Sequence, residues 1–264
     1  MKKLYTLTMV LLLMSTTLFT YAQKRYIAEQ YTDADIEVVS NVKFATNIDF
    51  LTSSFSDQAQ TVADLTAIKT ALFLGQPIPA THYNPADAGS KVKVTDLKMD
   101  IYKPKTSVDA TTDRPVVVFI HTGNFLPPPI NGSPTGIKTD SSAIVLCQSW
   151  AKRGYVAVSI DYRLGWNPLA TSVYERRGQL LNAVYRAIHD TKQAVRYIKD
   201  NATMYGIDAE EVVLYGEGSG AYVALAYETL DKYPDMELPK FSNPLTSKSF
   251  IDTATVGLID GSGG

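Results

Sequence analysis

The chain has 264 residues, 45% hydrophobic and 20% charged, with a formal net charge of −2. That balance supports a sizeable core in one large domain or two small ones. It excludes the basic footprint of a nucleic-acid-binding protein.

The first residues are MKKLYTLTMVLLLMSTTLFTYAQ. Lys2 and Lys3 form a positive n-region, Met9 to Met14 a short apolar h-region, and Ala22 is a small residue suited to cleavage. Residues 1–22 therefore read as a secretory signal peptide. The apolar run is shorter than the ~20 residues of a membrane span, so no stable membrane insertion is expected after cleavage. Export permits disulfides, but Cys147 is the only cysteine. It lies in the apolar helical pattern SSAIVLCQSWAKRG and reads as a buried structural thiol.

Residues 23–90 read as an N-terminal extension with irregular structure. Within it DIEVVSNVKFA alternates partly and suggests an early strand. TVADLTAIKTALFLG suggests a short amphipathic helix stopped by Gly75, Pro77 and Pro79. Residues 91–264 read as the main domain. KVTDLKMDIYKP is an alternating strand ending at Pro104. RPVVVFIHTG is a continuous β-branched run, the pattern of a strand buried on both faces. DSSAIVLCQSWAKRG is a helix with Asp140 or Ser141 as N-cap and Gly154 as its stop. YVAVSIDYR is a second buried strand. LLNAVYRAIHDTKQAVRYIKDNATMYG is a long helix whose apolar stripe includes Val184, Ile188, Ala194, Val195 and Ile198. EEVVLYG is a third buried strand and AYVALAYETLDKY a third helix. Alternating strands and helices imply a three-layer α/β/α sandwich with a mostly parallel sheet. Active sites of such sheets lie beyond the carboxyl ends of the strands. Residues 234–264 are rich in Pro, Ser, Thr and Gly and end on LIDGSGG, so the domain is expected to be the N-terminal part of a longer one.

Three segments together resemble one family. VVVFIHTGNF resembles the His-Gly-Gly-Gly strand end of esterases and lipases, YVAVSIDYRLG their Asp-Tyr-Arg-Leu segment, and VVLYGEGSGA their strand and nucleophile elbow. The order and spacing are those of the α/β-hydrolase superfamily, carboxylesterase and lipase branch, over residues 91–233. The resemblance implies ester hydrolysis through an acyl-enzyme, with no metal or organic cofactor and a small-molecule ester as substrate.

The elbow departs from the family pattern. The residues two before and two after a nucleophile at such a turn must be small. With Ser219 as nucleophile, those positions are Glu217 and Ala221, and Glu is a poor fit. With position 218 as the tip, they are Gly216 and Gly220, which fit, but Gly218 carries no nucleophile. Ser219 is thus one catalytic candidate, and an elbow without a nucleophile is the other. The oxyanion loop departs too: His121, Thr122 and Gly123 stand where the family has its glycine run. His121 resembles the family's structural loop histidine and reads as buried and hydrogen-bonded.

The family's general base follows its nucleophile, but the three histidines here are His82, His121 and His189, all before residue 219. His189 lies in register with Arg186, Gln193 and Arg196 and reads as part of a solvated face. Asp161 and Arg163 read as a structural ion pair. Asn131-Gly132-Ser133 and Asn201-Ala202-Thr203 are glycosylation sequons.

Two other function classes stay open. One is a secreted binding protein on a hydrolase fold, with a small ligand and no turnover. The other is dinucleotide binding through Gly216-x-Gly218-x-x-Ala221, which lacks the following strand and acidic residue that fingerprint requires. The sequence does not address oligomeric state.

Overall fold

The computed structural model describes residues 25–49, 93–126, 131–166, 168–230 and 238–251, with Ala67, Thr70, Ala71, Leu74, Gln76, Pro77 and Asp235. The signal-peptide assignment and His82 lie outside the described residues. So does the expected helix over 61–75, apart from Ala67, Thr70 and Ala71, which are helical, and Leu74.

Five strands form one sheet: β1 (Ile36–Asp49), β2 (Lys93–Pro104), β3 (Arg114–Ile120), β4 (Val156–Ile160) and β5 (Ile207–Gly216), in the order β1-β2-β4-β3-β5. The helices are α1 (Ser141–Lys152), α2 (Val173–Asp200), α3 (Ala202–Tyr205) and α4 (Ser219–Thr229). The sheet is mixed. β3 pairs parallel with β4 and with β5, while β2 pairs antiparallel with β1 and with β4. The early strand expected in DIEVVSNVKFA is β1, and it belongs to the same sheet. The alternating pattern of β2 suits an antiparallel strand, whose two faces need not be equally apolar.

β3 shows why its sequence is an unbroken apolar run. Alternate side chains point to opposite faces. Val116, Val118 and Ile120 join the core shared with Ala187, Ile188 and Ile198 of α2 and Val223 of α4. Phe119, on the other face, packs with Ala143, Cys147 and Ala151 of α1. Each fully buried Val or Ile contributes about 1.5–3 kcal/mol, and none of these three is exposed. Cys147 is fully buried, as its pattern indicates, and burial pushes its thiol far above the ordinary range.

The helix ends are set locally. Ser172 caps α2 by accepting from Glu175 N at 3.4 Å. Gly206 ends α3 in the left-handed conformation at φ 67°. β5 differs from its expected two-sided burial: Val213 is 53% exposed and Tyr215 41%. The cause is position. Among the described residues β5 is an edge strand, and α1 packs on β2, β3 and β4 instead.

Candidate functional site

Ile120 and Gly216 are register partners at the carboxyl ends of β3 and β5. This brings loop 121–126 against the turn that leads into α4. The turn is tied to the strand end by Glu217 N, which donates to Ile120 O at 3.1 Å.

The tip of that turn is Gly218, with φ 54° and ψ −118°, a conformation that strains any residue with a side chain. Its neighbours pass each other closely. A Cβ on Gly216 would lie 2.2 Å from Gly220 O, and one on Gly220 would lie 2.1 Å from Ile120 O. Small residues two before and two after position 218 are thus required by contact with backbone. Gly218 itself is exposed, and a Cβ there would lie 2.2 Å from Thr122 Oγ1.

Ser219 opens α4 and is 6% exposed. Its Oγ accepts from Asn124 N at 3.0 Å. The Tyr162 hydroxyl donates to His121 O at 2.8 Å, and burial raises it well above the usual range. Ser219 therefore links α4 to the loop after β3.

That loop carries three consecutive positive φ values: 119° at Gly123, 56° at Asn124 and 58° at Phe125. It is held in place from several sides. Asn131 Nδ2 donates to Gly123 O, Leu126 O and Thr135 O. Gly165 N donates to Phe125 O at 2.7 Å, and Trp166 Nε1 to Asn124 O at 2.9 Å. His121 is 1% exposed. Its Nδ1 donates to Thr122 O at 2.6 Å and its ring stacks on Tyr162 with centroids 4.2 Å apart. Among the described residues its buried Nε2 has no hydrogen-bond partner. Burial lowers its pKa to about 4, partly opposed by the Thr122 carbonyl. His121 is thus neutral at pH 7.

The other titratable candidates are placed elsewhere. His189 lies against Tyr185, 4.4 Å between ring centroids, and is lowered to about 4 by burial and then by the charge of Arg163. The face it shares is solvated only at one end: Arg196 is exposed, but Arg186 and Gln193 are 5% and 4% exposed. Among the described residues, neither histidine is hydrogen-bonded to Ser219. Asp161 and Arg163 do not pair. The Asp161 carboxylate accepts from Lys138 N at 3.0 Å, and burial raises its pKa. Arg163 pairs with Asp190 at 2.9 Å, and neither side chain is exposed. Asp190 also accepts from Arg163 N and from Asn47 Nδ2, which reaches Gln193 as well. Glu217 accepts from Ser142 Oγ at 2.6 Å, fastening the turn to α1. Among the described residues, no group of three or more His, Cys, Asp or Glu side chains is placed to hold a metal ion.

Tyr162 and Asn131 were not singled out as site residues from sequence. Tyr162 was visible only as part of the Asp-Tyr-Arg-Leu segment, and Asn131 only as a sequon. Asn131 spends its amide nitrogen on three loop carbonyls.

A layered α/β sheet with a glycine-flanked turn between a central strand's neighbour and its helix is the architecture of α/β hydrolases, in the esterase and lipase branch. The chain belongs to the BD-FAE family, whose model matches residues 99–259. It is 27% identical over 138 residues to secreted lipase 5 of Gibberella zeae, covering 50% of this chain and 24% of the lipase. It is 31% identical over 128 residues to carboxylesterase 3B of Mus musculus, covering 48% of this chain and 19% of that enzyme. It is also 29% identical over 125 residues to the neuroligin-like protein glit-1 of Caenorhabditis elegans, covering 47% and 15%. The matches thus span less than a quarter of these relatives' lengths. Among solved structures, Thermogutta terrifontis esterase 2 phosphonylated by sarin is similar at 28% identity and a TM-score of 0.36, covering 49% of this chain and 39% of that one.

Proposed function

We propose that this chain is an exported member of the esterase and lipase lineage that binds a small ligand at the elbow and does not hydrolyse it through a seryl acyl-enzyme. The observation that carries this reading is the backbone of Gly218. It has the strained tip geometry that an elbow uses to expose a nucleophile, on a residue with no side chain. Ser219, one place later, is engaged by Asn124 N inside the turn. Export is supported by the charged and apolar N-terminal pattern and by the secreted lipase among the relatives. No described helix is long and apolar enough to cross a membrane.

The second reading is ester hydrolysis with Ser219 as nucleophile, favoured by relatives named as a lipase and a carboxylesterase. It requires the Oγ to leave its partner and to meet a base.

A fluorophosphonate probe and 4-nitrophenyl acetate separate the two. Binding without turnover predicts no probe adduct by intact mass and no hydrolysis above buffer. An adduct mapped to Ser219, with turnover abolished by Ser219→Ala, would establish the esterase reading in its place. Export predicts a mature N-terminus at Gln23, read by N-terminal sequencing of the protein recovered outside the cytoplasm.

A further inference from the structure

Three glycines in this turn lack room for a Cβ, but the atoms in the way differ in kind. Gly216 and Gly220 face backbone. Gly218 faces a side chain: its Cβ would stand 2.2 Å from Thr122 Oγ1 and 3.0 Å from Thr122 Cβ, against the 3.5–4.0 Å of an ordinary carbon contact. Rotating Thr122 about χ1 moves Oγ1 away but leaves its Cβ where it is, and a β-branched side chain has few rotamers to offer. Shifting the loop is also blocked. The neighbouring Gly123 packs so closely that its own Cβ would lie 2.8 Å from Gly136 Cα, and Asn131 holds the Gly123 and Leu126 carbonyls.

We infer that Thr122 closes the elbow. Its side chain fills the slot into which the side chain of any residue at 218 would project. The two departures from the family pattern, Thr122 in the oxyanion loop and Gly218 at the tip, are therefore one arrangement in space, although 96 positions separate them in the sequence. Thr122 is half-buried and Gly218 exposed, so this closure stands at the surface of the turn. This holds whether or not the protein turns over an ester.

A double-mutant cycle tests it. Gly218→Ala adds a single carbon at the tip and is made in the wild-type, Thr122→Val and Thr122→Gly backgrounds. The backbone strain at residue 218 is common to all three and cancels in the comparison. Gly218→Ala is expected to lower the melting temperature by about 5 °C or more in the wild-type background. The same drop is expected with Thr122→Val, which keeps the bulk and removes the hydroxyl. With Thr122→Gly the drop falls to less than about half. Equal drops in all three backgrounds would overturn the interlock. Where Gly218→Ala alone gives no cooperative melt, recovery of one by adding Thr122→Gly supports it, and no recovery overturns it.

Discussion

Two assemblies lie beyond the carboxyl ends of the two strands that flank β3, and they are built from opposite materials. After β5, the elbow consists of residues without side chains, fitted so tightly that a carbon on Gly216 or Gly220 would strike backbone. After β4, Arg163 pairs with Asp190, and Asn47 links Asp190 to Gln193, in a buried polar knot. The elbow depends on space and the knot on partners. The edge where α/β sheets place their chemistry here uses its charges to brace loops and its hydroxyl, Ser219, to fasten a helix.

The contrast can be broken first at the elbow. Gly220→Ala places a carbon against Ile120 O and is expected to cost more than about 4 kcal/mol, seen as loss of a cooperative denaturant transition. A loss under about 1 kcal/mol would mean that the strand ends separate easily. Next comes the knot. Asp190→Ala leaves the Arg163 guanidinium buried without its carboxylate and should cost about 3–5 kcal/mol, measured by urea unfolding.

The third effect is pH-dependent. His121 has an ordinary pKa of 6.5 and a folded value of about 4, so the unfolded chain takes up its proton first as pH falls. Stability from this group is complete above pH 6.5 and is lost between 6.5 and 4. Between pH 7 and 5 the loss should be about 2 kcal/mol. His189 is lowered to a similar value, so His121→Asn should remove about half of the combined histidine slope. An unchanged slope would place the pH sensitivity elsewhere, for instance at His189, which is lowered in the same direction. The smallest effect belongs to Ser219→Ala, which deletes the acceptor for Asn124 N. It should cost about 1 kcal/mol, read as a small shift in melting temperature.

Much of the fold was legible because burial leaves a trace along the chain. The apolar runs of β3 and β4 and the 3.6-residue stripe of α2 each encode their own surroundings. The open outer face of β5 was not legible, since its run matches a buried strand and exposure depends on what lies beside it. At the site, the frame of the turn could be read from Gly216 and Gly220, because close passage demands small residues at fixed offsets. Partners across the fold could not. Arg163 has Asp161 two residues away and pairs instead with Asp190 on another element. The burial of Gln193 follows from that knot and Arg186 reaches the Gly165 carbonyl; no local pattern announces either.

The fit of Thr122 over Gly218 also constrains redesign. A side chain placed at 218 would collide with the threonine at 122 where it now stands. A serine introduced there alone would meet the same obstacle. The two positions act as a lock with two keys: a hydroxyl at the tip needs a change at both.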